Sequence, residues 1–437
     1  MSLQKKVPHL RIPDHIFREY DIRGIVGHEF DQDFSYRLGR ILVSYPEIPA
    51  GPFVVGRDVR LSGPKLQQSL IEGICDGGRD VLDIGISPTP LAYFAAFTCQ
   101  VAGCIHVTAS HNPPEYNGFK IMLGRHPMHG KDILRLRKRM HEPLSAPQGK
   151  TGTVSKVDLS DAYMVHVLKD CSLKHPLKIA IDAGNGPAGL LAAPLYRRLG
   201  CRVIELFCDP DGTFPHHHPD PSRDENLQEL RKTVLDEGCD LGIAFDGDGD
   251  RIGVVDGKGR ILRNDMLLLL LARSILKQHP GATIIGETKC SQLLYDDIRL
   301  HGGRAIMWRA GHSPIKAKMQ ETGALLAGEM TGHIFFADRY FGVDDAVYTG
   351  ARLMQLIANA GQSLATLMDK LPASISTPEI RRYCPDEIKF RIVEEAIHHF
   401  RSMGYQIVDI DGLRLQFEHG WALLRASNTQ PALVLRF

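Results

Sequence analysis

The sequence lacks the features that mark nucleic-acid-binding, membrane and secreted proteins. Its 52 lysine and arginine residues almost balance its 51 aspartate and glutamate residues, so no overall field favours a nucleic acid or a membrane surface. The longest apolar run, Met266 to Ala272, is far shorter than a membrane span. No apolar stretch follows Lys5 and Lys6, as a secretory signal would require. We therefore expect a cytoplasmic protein that holds any anionic ligand through local basic residues.

Cysteine spacing argues against a zinc site. Nine cysteines are scattered along the chain, and Cys99 and Cys104 have no second pair of cysteine or histidine ligands to complete a zinc set. An odd number of cysteines in a long chain without a secretory signal indicates reduced thiols. We expect none of them to be catalytic.

Length and repeated patterns predict several domains. A chain of 437 residues is too long for a single hydrophobic core. Residues 53–84, 178–206 and 283–308 share one pattern: an apolar strand, a glycine-rich or polar turn, an amphipathic helix, a glycine and a second apolar strand. Each has about the minimum length of two parallel strands joined by a crossover helix. The repeats predict three related mixed α/β domains with sheets buried by helices.

The last part of the chain has a different pattern. From Pro372 onward one helix, Asp386 to Met403, is combined with short apolar strands. The predicted strands lie at 380–383, 406–410, 413–417, 421–425 and 432–437. This arrangement predicts a C-terminal α+β domain.

Three carboxylates near the middle of the chain give the strongest chemical signal. A short apolar strand runs directly into Asp246, Asp248 and Asp250, which are separated by glycines. Glycine lets the backbone turn so that the carboxylates converge, and such oxygen ligands favour Mg²⁺. An EF-hand loop begins in the same way but needs glycine and glutamate where this chain has Arg251 and Gly257. The remaining alternative is a solvated acidic turn.

A second polar loop contains Ser110. Pro113 and Pro114 oppose a helix here, so Ser110 is expected on an irregular loop. His111 is a poor candidate for its base because adjacent residues rarely meet in that way, and the Gly-x-Ser-x-Gly elbow of hydrolases is absent. Taken alone, Ser110 is typical of an ordinary loop hydroxyl. Beside an acidic loop it fits phosphoryl transfer through serine, because a metal neutralises the charge of a phosphoserine.

A glycine-rich turn raises one further alternative. Gly184 to Gly189 has the outline of a dinucleotide-binding Gly-x-Gly-x-x-Gly motif. Pro187 interrupts it, and Glu205 is the only acidic residue at the end of the next strand. A nicotinamide-dependent enzyme is therefore the weaker interpretation.

Four segments together resemble the α-D-phosphohexomutase superfamily, and within it the bacterial phosphomannomutase/phosphoglucomutase group. In the order of the family, they are Thr108–Pro114, Asp246–Arg251, Gly328–His333 and Arg425–Pro431. The resemblance implies four domains around a central cleft. The implied domains are 1–154 with a phosphoserine loop, 155–257 with a metal-binding loop, 258–371 with a sugar-binding loop and 372–437 with a phosphate-binding loop.

The same resemblance implies the site residues. Ser110 would carry a phosphoryl group in the active state and would join Asp246, Asp248 and Asp250 in holding one Mg²⁺ per chain. The implied catalytic residues are Ser110, His111, Lys120, Arg251 and His312. The implied substrate-binding residues are Tyr20, Arg23, Lys289, His312, Glu329, Met330, Thr331, Gly332, His333, Arg425, Ser427, Asn428 and Thr429. Thr331 stands where serine is usual in this group and keeps the hydroxyl; the identity of the general acid or base stays open.

The implied activity is reversible conversion of mannose 6-phosphate to mannose 1-phosphate and of glucose 6-phosphate to glucose 1-phosphate. It would use a phosphoserine and a 1,6-bisphosphate intermediate, with glucose 1,6-bisphosphate or mannose 1,6-bisphosphate as activator. Phosphoglucosamine mutase is the alternative within the family. A metal-dependent phosphatase and a non-enzymatic sugar-phosphate sensor are alternatives outside it.

Hexose phosphates are the expected partners of the chain. We expect a monomer, because no coiled-coil repeat requires a second chain. Members of the family continue past the last strand into a helix, whereas this sequence stops at Phe437. Either the sequence is part of a longer chain, or its fourth domain lacks that helix.

Overall fold

The computed structural model describes residues 12–144, 146, 149–372, 375–427 and 431–437, which form four sheets in succession along the chain. The first three sheets combine parallel and antiparallel pairs, and the fourth is wholly antiparallel. The predicted fold class, three related α/β domains followed by a C-terminal α+β domain, is confirmed.

The first unit places the serine loop at one edge of its sheet. Its strands are β1 (Ile22–Ile25), β2 (Phe53–Arg57), β3 (Val81–Ile86), β4 (Gly103–Val107), β5 (Tyr116–Leu123), β6 (His126–Pro127) and β7 (Val154–Lys156). Its helices are a 3₁₀ turn at Asp14–Ile16, α1 (Gln32–Leu42), α2 (Gly63–Asp76), α3 (Thr89–Thr98) and α4 (Lys131–Met140). The strand order is β1-β5-β4-β2-β3-β7, with β6 beside β5. Because β2 and β4 are parallel, the loops that follow them meet at the same edge.

The second unit places the acidic loop in the same way. Its strands are β8 (Lys178–Asp182), β9 (Arg202–Leu206), β10 (Leu241–Phe245), β11 (Ile252–Asp256) and β12 (Ile261–Leu262). Its helices are α5 (Ser160–Asp170), α6 (Gly189–Arg198), a 3₁₀ turn at Asp224–Leu227 and α7 (Gln228–Glu237). The order is β12-β11-β10-β8-β9. Strand β10 is buried along its whole length because it lies between β8 and β11, so its apolar sequence is that of a central strand.

The third and fourth units complete the fold. The third contains β13 (Thr283–Glu287), β14 (Arg304–Trp308), β15 (Leu326–Gly328), β16 (Ile334–Phe336), α8 (Asn264–Gln278), α9 (Gln292–Leu300), α10 (His312–Thr322), α11 (Ala346–Ala360) and α12 (Leu364–Asp369). The fourth contains β17 (Ile380–Tyr383), β18 (Ile407–Val408), β19 (Leu413–Phe417), β20 (Gly420–Ala426), β21 (Ala432–Arg436) and α13 (Asp386–Ser402). The sheet orders are β14-β13-β15-β16 and β17-β21-β20-β19-β18.

One hydrophobic core connects the first three units. It runs from Tyr93 and Phe94 on α3 through the second unit to helices α8 and α11 of the third. A buried polar contact lies in the same region, where Asp345 accepts hydrogen bonds from the hydroxyls of Tyr163 and Tyr340 at 2.9 and 2.8 Å. Shared burial of this kind holds the loops of these units in fixed relative positions.

Two strands pair with the sheet of one unit although they extend beyond, or lie beyond, its predicted end. β7 pairs with β3 in the first sheet although it extends past residue 154, and β12 pairs with β11 in the second sheet although it lies past residue 257. The exact residues at which the four domains begin and end stay predictions. Among the described helices, none is both long and apolar enough to cross a membrane.

Candidate functional site

The three aspartates lie in the tight loop between β10 and β11. The loop is closed by a hydrogen bond from the Asp246 N–H to the Arg251 carbonyl at 3.2 Å, and Gly249 supplies a left-handed turn with φ of 76°. All three carboxylates are buried and offer oxygen atoms within 4.8 Å of one another. Asp248 Oδ1 and Asp250 Oδ1 are buried without a hydrogen-bond partner. Buried carboxylate oxygens left in this state fit a divalent cation.

Lys120 extends into the same carboxylate cluster from the first unit. It lies on strand β5, and its Nζ donates to Asp248 Oδ2 at 2.7 Å and also contacts Asp250 Oδ2. Burial favours the neutral amine, but the charges of Asp248 and Asp250 outweigh it and hold the pKa of Lys120 well above its usual value. Lys120 is therefore a charged donor at neutral pH rather than a base.

The charges of the aspartates are unequal. Burial opposes ionisation of Asp248, yet the ammonium of Lys120 and the hydroxyl of Thr89 overcome it and hold the pKa of Asp248 well below its usual value. Burial and the neighbouring charges of Asp248 and Asp250 raise the pKa of Asp246. Crowding of the carboxylates thus opposes ionisation of Asp246, and a cation bound among them would relieve that repulsion.

Ser110 meets this cluster from the loop between β4 and β5. Its Oγ donates to Asp246 Oδ2 at 2.6 Å and lies 3.0 Å from Nδ1 of His111. Its backbone is in the left-handed region, with φ of 51°, which is unusual for a residue with a Cβ. Burial, followed by the charges of Arg251 and Arg23, lowers the pKa of His111 well below its usual value, so its ring is neutral.

Arg251 connects the acidic loop to the loop between β15 and β16. Its Nε donates to Nε2 of His333 at 2.9 Å. Because that ring nitrogen accepts, the proton of a neutral His333 is assigned to Nδ1, which lies 2.9 Å from Asp344 Oδ2. The loop is fixed further where the Ile252 N–H donates to the Gly332 carbonyl at 3.1 Å.

The other predicted sugar-loop residues surround this contact. Glu329 is buried and accepts a hydrogen bond from the Gly311 N–H at 2.7 Å, and the half-buried Met330 donates its N–H to Glu287 at 3.2 Å. Thr331 is also half-buried.

Two aromatic contacts bring Tyr20 of the first unit to the same place. The ring centroids of His312 and His333 are 5.5 Å apart, and the ring of Tyr20 lies 5.8 Å from that of His312. The Arg23 guanidinium donates to Asn112 of the serine loop at 2.8 Å.

The predicted phosphate-binding cations form a second group at the junction of the third and fourth units. Lys289 Nζ lies 3.7 Å from Glu287 and 3.4 Å from Glu379. Arg425 lies on β20, and its guanidinium is 3.2 Å from Asp411.

Part of the predicted phosphate loop can be placed. Ser427 is buried directly after β20, and its N–H donates to the Ala432 carbonyl at 2.9 Å. Asn428 and Thr429 lie outside the described residues.

One residue, Ala310, connects the two groups of residues through its backbone. The Ala310 carbonyl accepts from the Tyr20 hydroxyl at 2.8 Å, and the Ala310 N–H donates to Asp411 at 3.0 Å. The structure therefore joins Ser110, the aspartates, Arg251 and the histidines directly, and it joins Arg425 to them through Asp411 and Ala310.

Sequence reasoning missed several buried or half-buried charged or polar residues beside the predicted ones. They are Asp58, Arg60, Thr89, Thr108, Glu287, Asp344, Glu379 and Asp411. Asp58 and Glu287 stand at the carboxyl ends of the first strands of two repeats, the position where ligands bind in open α/β sheets. That position was the available signal for these two.

Comparison with known proteins agrees with this geometry. Residues 14–142, 161–259 and 263–375 match the models of phosphoglucomutase/phosphomannomutase alpha/beta/alpha domains I, II and III, and residues 379–437 match the C-terminal domain of the same family. A phosphomannomutase/phosphoglucomutase of Pseudomonas putida is 46% identical over 98% of this chain and 92% of its own length. A phosphoglucomutase of Neisseria gonorrhoeae is 46% identical over 97% of this chain and 92% of its own length.

A solved structure gives the same result. The crystal structure of a phosphoglucomutase/phosphomannomutase family protein from Burkholderia thailandensis is 43% identical, with a TM-score of 0.91, over 98% of this chain and 93% of that chain. With all four domain models matched in order and nearly full-length relatives of this identity, the chain belongs to the phosphoglucomutase/phosphomannomutase family.

Proposed function

We propose that this chain reversibly converts mannose 6-phosphate to mannose 1-phosphate and glucose 6-phosphate to glucose 1-phosphate. The observation that carries the proposal is the position of Ser110. Its hydroxyl is hydrogen-bonded to Asp246 within a buried acidic cluster, where a phosphoryl group on Oγ would lie among Lys120, Arg251 and the carboxylates. An ordinary loop serine does not require a buried position among carboxylates and cations.

The proposed reaction consists of two balanced transfers. In the first, the bond between phosphorus and Ser110 Oγ breaks, a bond forms to the free hydroxyl oxygen of the sugar phosphate, and that hydroxyl releases its proton. The product is a 1,6-bisphosphate, which turns end for end. In the second, the other phosphoryl group returns to Ser110 Oγ and the sugar oxygen that it leaves takes up a proton. A 1,6-bisphosphate of glucose or mannose would serve as activator because it can phosphorylate an empty Ser110.

The acidic cluster fits one Mg²⁺. Asp246, Asp248 and Asp250 would hold it together with an oxygen of phosphorylated Ser110, and it would supply positive charge to the oxygens of the transferring group. The unpartnered oxygens of Asp248 and Asp250 support this assignment.

The protein's own cations complete the proposed site. Lys120 donates from an ammonium whose pKa is held above its usual value by Asp248 and Asp250, and Arg251 holds His333 in one orientation. These fixed positive groups would stabilise the charge on the transferring phosphoryl group without reorganising during the reaction.

The remaining residues would hold the substrate at both ends. Glu329 and Thr331 of the sugar loop are assigned to ring hydroxyls, with Met330, Gly332 and His333 beside them. Lys289, Arg425 and Ser427, with Asn428 and Thr429, are assigned to the phosphate that is not being transferred. Tyr20, Arg23, His111 and His312 complete the cleft. Glucose and mannose differ at carbon 2, so a loop that does not contact that hydroxyl would accept both sugars.

Phosphoglucosamine is the less supported substrate, because relatives at 44–46% identity carry the names phosphomannomutase/phosphoglucomutase or phosphoglucomutase. The proposal includes hexose phosphates as partners and a monomeric chain. Sedimentation of the purified protein tests whether the chain is monomeric.

The function is tested by assay and by mass spectrometry together. Purified protein should convert mannose 1-phosphate and glucose 1-phosphate to their 6-phosphates in the presence of Mg²⁺ and catalytic glucose 1,6-bisphosphate, and it should convert glucosamine 1-phosphate more slowly. One phosphate should be found on Ser110. Ser110→Ala should lose both the phosphate and most turnover, whereas Ser35→Ala, at a buried serine of α1, should keep both. Turnover by Ser110→Ala at the wild-type rate would contradict the phosphoserine mechanism.

A further inference from the structure

A buried arginine outside the predicted site holds the serine loop in place. Arg60 follows β2 and is fully buried, and the guanidinium has five N–H donors. The structure gives each donor an acceptor. The acceptors are Asp58 Oδ2 for Nε at 3.1 Å, the carbonyls of Pro113 and Tyr116 for Nη1 at 2.6 and 2.9 Å, and the carbonyls of Ser110 and Asn112 for Nη2 at 2.8 and 2.6 Å.

Asp58, the partner of Arg60, holds the N–H of the same residue, Ser110. Asp58 Oδ2 accepts from the Thr108 hydroxyl at 2.7 Å, and that hydroxyl oxygen accepts from the Ser110 N–H at 2.8 Å. The N–H of Ser110 is therefore fixed through Thr108 and Asp58, and its carbonyl is fixed by Arg60. Both backbone polar groups of Ser110 depend on one buried ion pair.

Ser110 needs such fixation because its backbone is strained. A left-handed φ on a residue with a Cβ is energetically costly and persists only where the surroundings determine it. The hydrogen bonds from Arg60 to four loop carbonyls hold the backbone in this conformation. A lysine, with three donors on a flexible chain, could not make the same set of bonds.

Stability alone is a weak explanation for this arrangement. Removing a charged pair from water is costly, so a buried ion pair contributes little net stability compared with apolar residues of similar size. The guanidinium is also covered by the second unit, where the ring of Phe214 lies 5.4 Å from Arg60 Cζ. Apart from the bonds that join Arg60 and Asp58, the side-chain hydrogen bonds described above all go to the serine loop or to Thr108 at its start.

We propose that Arg60, acting with Asp58 through Thr108, is a positioning residue that holds Ser110 Oγ against Asp246. Arg60 touches no reacting atom in this arrangement. The kinetic part of the inference rests on the proposed function, whereas the structural part, the order of the serine loop, does not.

The first test compares two buried arginines. Arg60→Lys should lower kcat for glucose 1-phosphate by about 100-fold while KM changes by less than about threefold, because a displacement near 1 Å of the attacking atom costs about that much in rate. Hydrogen exchange of residues 108–118 should become faster, while exchange of the acidic loop stays unchanged. Arg352→Lys is the control, since Arg352 is also buried but pairs with Asp338 in the third unit.

A milder variant covers the case in which Arg60→Lys does not fold. Thr108→Val removes the hydroxyl that connects Asp58 to the Ser110 N–H, whereas Thr108→Ser keeps it. We expect Thr108→Val to lower kcat and speed exchange of the serine loop, and Thr108→Ser to restore both. Equal behaviour of these two variants, or an Arg60→Lys enzyme with wild-type kcat and loop exchange, would overturn the inference.

The two readouts separate the inference from the proposed function. A wild-type protein without mutase activity would contradict the function, and the exchange measurement would still test whether Arg60 and Thr108 order the loop. Active wild type with a variant that exchanges faster but turns over normally would contradict the positioning role.

Discussion

Lys120 forms a buried ion pair with Asp248, and its Nζ lies 2.7 Å from Asp248 Oδ2. The pair connects the first sheet to the acidic loop of the second, so a charge on one unit neutralises a carboxylate on the other. The same carboxylate belongs to the group assigned to Mg²⁺. Ammonium and metal therefore compete for negative charge at one place, and this relationship predicts how each responds to loss of the other.

Lys120→Met should bind Mg²⁺ about tenfold more tightly, or better, although the enzyme loses most of its activity. A second positive charge a few ångströms from the ion opposes binding. At an effective dielectric of about 20, two unit charges 4 Å apart repel by about 4 kcal/mol, so even a third of that repulsion, about 1.4 kcal/mol, changes affinity tenfold. Titration calorimetry with MgCl₂ measures the change. Lys318→Met, at a lysine of α10 that pairs with Glu321, should bind as the wild type does. Weaker binding by Lys120→Met would show that the lysine supports the metal instead of competing with it.

Asp248→Asn should have the opposite effect on the metal. One anionic ligand becomes a neutral amide of nearly the same shape, so Mg²⁺ affinity should fall by about tenfold or more, and turnover should fall with it. The matched control is Asp256→Asn, a buried aspartate at the other end of β11. Unchanged calorimetric binding in Asp248→Asn would remove the acidic loop from the metal site.

Local sequence patterns were enough to predict the four units and the loops between strands. The run at 241–245 is apolar on both faces because β10 lies inside its sheet, and the alternation of aspartate and glycine forces a loop directly after it. Both features are determined by residues that are close together in the sequence.

The partners across the cleft were not predictable from such patterns. Nothing near Arg60 in sequence shows that its guanidinium reaches the carbonyls of Ser110 to Tyr116, some 50 residues away. Asp411 likewise lies in an ordinary turn before β19, and only the docking of the fourth unit brings it to Ala310. Lys120 lies within β5 and donates to a carboxylate of another unit, a contact that no local pattern indicates.

The contact between Lys289 and Glu379 should make the docking of the fourth unit sensitive to acid. The Lys289 ammonium, 3.4 Å away, and to a lesser extent Arg381 lower the pKa of Glu379 from 4.5 to about 2, against the opposing effect of burial. A carboxylate with a lowered pKa stabilises the fold fully above its unfolded pKa and loses that contribution as the pH falls towards its folded pKa. The contribution should therefore decline between about pH 4.5 and 2.

Glu379→Gln measures this contribution. At pH 7 the variant should be about 2 kcal/mol less stable to urea than the wild type, and the difference should shrink as the pH is lowered from 5 to 3. Glu205→Gln removes a surface pair with Arg197 and should change stability by less than about 1 kcal/mol. A difference for Glu379→Gln that stays constant with pH would show that the ion pair does not cause it.

The fourth unit should hold the phosphate end of the substrate through Arg425, and the position of Asp411 makes this testable by a pair of variants. A charge-assisted arginine contact contributes about 1.5 to 3 kcal/mol, so Arg425→Ala should weaken binding of mannose 1-phosphate by about one to two powers of ten. Mg²⁺ affinity and phosphorylation of Ser110 should stay the same, because those groups lie on the first and second units. Arg401→Ala, on the exposed side of α13 where Arg401 pairs with Asp409, should bind substrate normally.

Asp411 explains why Arg425→Ala should weaken binding of mannose 1-phosphate by more than the loss of one contact. Its carboxylate lies 3.2 Å from the Arg425 guanidinium, and without that partner its negative charge would repel the incoming phosphate dianion. The double variant Arg425→Ala with Asp411→Asn should therefore bind mannose 1-phosphate more tightly than Arg425→Ala alone, though less tightly than the wild type. Calorimetry on the wild type, Arg425→Ala, Asp411→Asn and the double variant gives the coupling free energy between the two residues directly. Purely additive effects would mean that Asp411 does not face the bound phosphate, and wild-type affinity in Arg425→Ala would remove the fourth unit from the phosphate site.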